Sequence, residues 1–140
     1  MASNTNKRVA VKHVRDRAKS AYEKKECCHI CSSTDNLELH HTTSLTLLLD
    51  KWSRDTGNPI STDEEVLNIR DQFIDEHHSE IYVEVFTLCL KHHLKLHSVF
   101  GKAPPLTSST KQNRWIEIQK AKVLGIVDGT PKAGSFAKFY

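Results

Sequence analysis

Cys28-His29-Ile30-Cys31 and, 58 residues beyond its second cysteine, Cys89-Leu90-Lys91-His92 carry the reading of this chain. A C-x2-C turn folds back on itself, so two thiolates converge on one tetrahedral ion, and a C-x2-H step at a strand-to-helix junction supplies two more ligands. Cys28, Cys31, Cys89 and His92 are therefore expected to close a structural Zn2+ site. The other use of C-x2-C, a redox pair, needs a parallel-sheet context that the surrounding pattern lacks. Met1 to Asn6 is polar and runs into Lys7 and Arg8 without the apolar core of a signal peptide, so cysteines in this chain read as metal ligands rather than as two disulfides. Cys27 is the spare thiol, a small buried hydrophobe or a substitute for Cys28; Cys28 gives the tighter knuckle, which favours the first.

Outward from the knuckle, Leu37-Glu38-Leu39-His40 alternates apolar and polar after the turn cluster Ser32 to Asn36, which predicts a short strand. A second strand is expected over Ile81 to Leu88. Between them, Leu45, Leu48, Leu49 and Trp52 predict a helix within Thr42 to Asp55, followed by the turn Gly57-Asn58-Pro59. Thr62 with Glu65 forms a capping box opening a helix that carries Val66, Ile69, Phe73 and Ile74 to about His77. Cys89 to Val99 reads as a helix ended by Gly101 and Pro104-Pro105. Ser109 with Gln112 opens a last helix through Trp115, Ile116, Ile118 and Val123, with Gly125 as its stop. At the other end, Val11, Val14, Ala18, Ala21 and Tyr22 recur at helical spacing over residues 6–25. The tail after Asp128 is expected to be extended or mobile.

Nine histidines are unusual in 140 residues, and four of them stand beside these elements. His93 and His97 are four apart on one helix and share a face, so both imidazoles can reach one metal. His40 and His41 are neighbours on a strand and point to opposite faces, so one can complete a metal site while the other works from beside it. His13, His29, His77 and His78 have no such context and read as surface or supporting residues.

Taken together, C-x2-C, Leu37-Glu38-Leu39-His40-His41-Thr42 and Leu88-Cys89-x2-His92-His93-x3-His97 resemble the HNH endonuclease family over about residues 27–98. The resemblance implies an α+β fold: a ββα-metal core with a structural zinc, flanked by N- and C-terminal helices, with a helical insertion over 43–80 between the two core strands. His92 stands where that family commonly has a fourth cysteine. The paired histidines followed by H-x3-H are similar to the colicin nuclease variety. That likeness makes His40, His93 and His97 ligands of a catalytic divalent metal and His41 the general base. Mg2+ is usual for such chemistry, whereas three imidazoles suit Mn2+, Ni2+ or Zn2+ better. The stretch from Gly101-Lys102 through Trp115 to Lys122 looks like the C-terminal end of small phage HNH proteins. One departure is the family's middle Asn, whose place falls by gap-free counting on Glu84. A carboxylate there is expected to position His41 and to raise its pKa.

The whole chain, 1–140, is expected to form one HNH-type domain: a basic helix over 6–25, the core over 27–98 and a basic helix and tail over 101–140. Its net charge of +3 is unevenly spread. Eight Lys/Arg face two acids from Met1 to Lys25, seven face two from Gly101 to Tyr140, and three face ten between Asp50 and Phe86. Basic ends around an acidic middle fit DNA gripped at one face, with Lys7, Arg8, Lys12, Arg15, Lys102, Lys111 and Arg114 as contacts; ordinary solvated helix faces would look the same. No stretch is apolar enough for a membrane span, and the expected location is cytoplasmic, a bacterial host cell if phage-encoded. The expected activity is metal-dependent hydrolysis of DNA phosphodiesters. The alternative is a non-catalytic zinc module binding nucleic acid or protein, such as a phage regulator of host machinery, with residues 43–80 contacting a partner or a second copy.

Overall fold

The apolar repeat Ala10, Val11, Val14 and Ala18 becomes the buried face of α1 (Lys7–Ala18), and a 3-10 turn over Lys19–Ala21 carries the chain to Tyr22. The helix is shorter than its periodicity suggests because Tyr22 turns to extended backbone, φ −69° and ψ 139°. The computed structural model describes residues 7–125, with side chains from Ala10 onward. The expected helix start at Asn6, the Lys7 and Arg8 side chains and the tail after Asp128 lie outside the described residues.

Ser44 caps α2 (Leu45–Thr56) by accepting from the Leu47 N–H, and Gly57 ends it at φ +76°, a left-handed conformation that costs a glycine little. The capping box of Thr62 and Glu65 opens α3 (Asp63–Glu76) as its sequence suggests. Leu45, Leu49 and Trp52 of α2 and Val66, Ile69 and Phe73 of α3 pack against Val11 and Val14 of α1. Val14, Val66 and Phe73 are fully buried, each contributing roughly 1.5–3 kcal/mol of apolar transfer. The insertion thus builds a core of its own with α1, and the Arg17–Asp71 ion pair and the His13–Asp63 hydrogen bond join its acidic side to the basic N-terminal helix.

β1 (Leu37–His41) and β2 (Val85–Cys89) form a two-stranded antiparallel sheet. Leu37 pairs with Cys89 and His41 with Val85. This register puts one end of the ladder at the cysteines and the other at the paired histidines. The second strand begins at Val85 rather than at Ile81. Ser79–Val83 is a π-helical turn instead, closed by Glu84 N–H to the Ser79 carbonyl at 2.8 Å. Ile81 is apolar because it fills the helical core, a demand that alternation cannot distinguish from a strand.

From Cys89 the chain enters α4 (Leu90–Phe100), and Gly101, at φ +95°, ends it. After a 3-10 turn at Leu106–Ser108, α5 (Ser109–Leu124) packs Ile116 and Trp115 on a second apolar cluster with Cys28, Ile30, Leu88 and Leu96. Among the described residues no helix is long and apolar enough to cross a membrane.

Candidate metal sites and active site

The knuckle folds because Ser32 takes a left-handed backbone, φ +64°, so that its N–H reaches the Cys28 carbonyl at 2.9 Å. His29 N–H then docks the turn on β2 through the Thr87 carbonyl at 2.8 Å. Cys28, Cys31, Cys89 and His92 bring one ligand atom each within 4.8 Å of one another. Cys31 Sγ lies 3.8 Å from Cys89 Sγ, and Cys89 Sγ lies 3.3 Å from His92 Nδ1. A tetrahedral zinc with thiolates at about 2.3 Å spaces sulfurs about 3.8 Å apart, so the donor set and spacing fit a structural metal. Burial works to raise the Cys28 thiol, but the backbone hydrogen bonds of Cys31, Cys89 and Ile30 outweigh it and hold Cys28 below its ordinary value. Cys31 is raised, by burial first and then by the neighbouring sulfurs. Cys27 is half-buried beside the knuckle and outside the four-residue cluster.

A second cluster lies at the opposite end of the sheet. His40, His93 and His97 also bring ligand atoms within 4.8 Å of one another. His40 Nδ1 is 3.2 Å and His97 Nε2 3.1 Å from His93 Nε2. The outer nitrogens decide the protons. His93 Nδ1 faces the Glu38 carboxylate at 2.6 Å, and His97 Nδ1 faces the Gly101 carbonyl at 2.7 Å. Both oxygens accept, so each Nδ1 carries a hydrogen, and in the neutral imidazole each Nε2 is the nitrogen left with the lone pair. Two such lone pairs 3.1 Å apart repel unless a proton or a metal ion lies between them. The donor set therefore fits a divalent metal, with outer acceptors aiming the imidazoles as they do at metal centres.

His41 lies beside this cluster with its Nε2 2.9 Å from the Ile81 carbonyl. By the same reasoning Nε2 is the donor, and Nδ1 is left as the basic nitrogen. Burial, chiefly, lowers the His41 pKa to about 4; the Ile81 bond opposes this and the charge of Arg15 adds to it. Burial likewise holds His40 at about 4. Arg15, Tyr22, His40, His41, His93 and Lys102 line one cleft of about 330 Å³.

The match of residues 1–133 to the family model of the phage T5 nicking endonucleases spans the helical insertion as well as both clusters. The chain belongs to the nicking endonuclease family. No solved structure matches it. As a nicking endonuclease family member it is an endonuclease acting on DNA, and its described basic residues differ in whether they border the cleft. Arg15, on α1, and Lys102, just beyond α4, border the cleft, whereas Lys12 is exposed and paired with Asp16 at 3.0 Å. Lys111 and Arg114 are exposed on α5 and are not among the cleft-lining residues.

Glu84 does not meet His41. It stands just before β2, and its carboxylate accepts from the Ser79 hydroxyl at 2.9 Å while only its backbone carbonyl reaches Thr42. The group on His41 is the Ile81 carbonyl, and the histidine is lowered where a carboxylate would have raised it. Gln112 also departs from expectation. It does not cap α5, whose first residue Ser109 bonds to Thr42 Oγ1 instead, but is fully buried against His40. Glu38 was legible in principle: two residues before His40 on a strand, it shares that histidine's face. Tyr22, 5.3 Å from the His41 ring between centroids, gave only a helix-face signal. Among the described residues its hydroxyl is the one buried side-chain polar atom without a hydrogen-bond partner.

Proposed function

We propose that this endonuclease hydrolyses DNA phosphodiesters in the cleft between α1 and α4 by the metal-dependent ββα chemistry of HNH enzymes. What carries the reading is the convergence of ligand nitrogens of His40, His93 and His97, with the outer Nδ1 atoms of His93 and His97 held by acceptors and a neutral His41 in the same cleft. His40, His93 and His97 hold the divalent ion, which when bound neutralises the scissile phosphate and the leaving 3′ oxygen. Cys28, Cys31, Cys89 and His92 hold zinc, tying the knuckle to the start of α4 and stabilising the fold.

His41 Nδ1 takes a proton from water as the water oxygen attacks phosphorus and the P–O3′ bond breaks; the departing 3′ oxygen takes a proton from solvent, and His41 later returns its proton to solvent, leaving 5′-phosphate and 3′-hydroxyl ends. A pKa of about 4 keeps this imidazole neutral at physiological pH. The Ile81 carbonyl fixes its tautomer and supports the imidazolium as it forms. Arg15 and Lys102, which both line the cleft, grip the phosphate, and Lys7, Arg8, Lys12, Lys111 and Arg114 add diffuse attraction for DNA.

Relaxation of supercoiled plasmid tests the reading. His41→Ala should lose about 100-fold or more in turnover while keeping metal and DNA affinity, and His97→Ala should weaken metal binding. Undiminished cleavage by both would overturn the proposal. A non-catalytic zinc module would be indifferent to His41→Ala.

A further inference from the structure

Gln112 is a wholly buried amide on α5, outside the two strands and the helix that bear the histidines. Its Nε2 lies 2.9 Å from the Thr42 carbonyl and 2.9 Å from Ser108 Oγ, and its Oε1 lies 2.7 Å from His40 Nε2. The Thr42 carbonyl can only accept, so the NH2 group must face it and the amide cannot be flipped. Oε1 is then the atom toward His40, and an amide oxygen can only accept. His40 Nε2 must carry the hydrogen, which leaves His40 Nδ1 with its lone pair toward His93 Nε2, 3.2 Å away. One backbone carbonyl at the end of β1 thus decides the orientation of Gln112, and Gln112 decides the tautomer of His40.

We propose that Gln112 is the positioning residue that holds His40 in its metal-ligating tautomer, an inference that rests on the metal-site reading above. It makes α5 part of the metal centre. Glu38 and the Gly101 carbonyl serve His93 and His97 in the same way but lie on β1 and at the end of α4. Without an acceptor at 112, His40 is free to move its hydrogen to Nδ1, and the nitrogen nearest its partners then has no lone pair to give.

The test uses full-length protein carrying one zinc per chain, so that the three-histidine cluster is free, and two variants. Gln112→Met removes the acceptor at similar volume. Gln112→Glu keeps an acceptor for His40 but loses the donor to Thr42, as Gln112→Met also does. Two-bond 15N–1H correlation before Mn2+ is added reads the His40 tautomer, and Mn2+ titration followed by electron paramagnetic resonance reads affinity. The expected result is Nε2–H in wild type and Gln112→Glu, with Mn2+ affinities within a few-fold of each other. Gln112→Met should show Nδ1–H or a mixture and bind Mn2+ about 10- to 100-fold more weakly. Equal losses in both variants would mean that only the Thr42 bond matters and would overturn the proposal. So would an unchanged tautomer in Gln112→Met. A wild type that takes up no Mn2+ would instead overturn the metal reading of the three histidines, and the tautomer comparison would still decide the role of Gln112.

Discussion

Tyr22→Ala should make the endonuclease acid-sensitive without an equal loss at alkaline pH. Burial is the leading reason that His41 sits at about 4 rather than 6.5, and the Tyr22 ring, 5.3 Å from the imidazole between centroids, supplies part of that cover. With a pKa of about 4, roughly nine-tenths of His41, the proposed base, is neutral at pH 5; at about 6.5 the neutral fraction is roughly 3%, a difference of about 30-fold. Full exposure of His41 would therefore depress the variant's rate relative to wild type by up to about 30-fold at pH 5 and hardly at all at pH 8. The assay is initial nicking rate on supercoiled plasmid at saturating metal and DNA, from pH 5 to 8, expressed as the ratio of variant to wild type. Taking the ratio cancels the common pH dependence of water and metal. Tyr22→Phe is the control: it keeps the ring and removes a buried hydroxyl that has no partner, so it should track wild type at every pH and be no less stable. A Tyr22→Ala ratio that is flat from pH 5 to 8 would refute burial by Tyr22 as the means of keeping His41 neutral.

The same shifts act on stability. His40 and His41 are both lowered, so the unfolded chain takes protons first, and the stabilisation is complete above about pH 6.5 and lost as pH falls through about 4. In zinc-loaded protein with no second metal this amounts to up to ~3 kcal/mol per imidazole; urea midpoints should show a shallower acid loss for His41→Gln, and identical slopes would count against the assignment. Cys89→Ser should lower zinc content and drop the Tm by about 10 °C or more, for a loss of at least ~3 kcal/mol; a variant melting with wild type would remove the structural role of the knuckle. Charge reversal of Arg15 and Lys102 together should weaken DNA binding and flatten its salt dependence by about one unit of slope for each phosphate no longer neutralised, measured by fluorescence anisotropy across a salt series. An unchanged slope would move the phosphate grip away from these two residues.

Local chemistry made the two clusters legible before any fold was known. A C-x2-C turn, a C-x2-H helix start and an H-x3-H face each bring their ligands together within a few residues, so spacing alone limits what they can hold. The capping box at Thr62 and Glu65 and the stop at Gly125 are likewise local, resting on backbone hydrogen bonds within one turn, and both occur where the residue types suggest. What joins the pieces is not local. The pairing of Leu37 with Cys89 brings the knuckle to its partners across most of the core, and no spacing rule contains that register.

Ile81 shows why alternation misplaces the start of the second strand: an apolar β-branched residue satisfies a strand face and a helical core equally well, and only the π turn that buries it against α1–α3 distinguishes them. Glu84 shows the same limit for function, because counting along the chain cannot know that its carboxylate turns to Ser79 while the Ile81 carbonyl reaches His41. Gln112 is the sharpest case. Three residues after a serine it satisfies a capping pattern, yet its amide is spent 72 residues away on His40. Residue types and short spacings determined which atoms could ligate and where helices begin. The protonation of those atoms was decided only by tertiary structure, because a histidine's lone pair is set by whichever distant acceptor holds its other nitrogen.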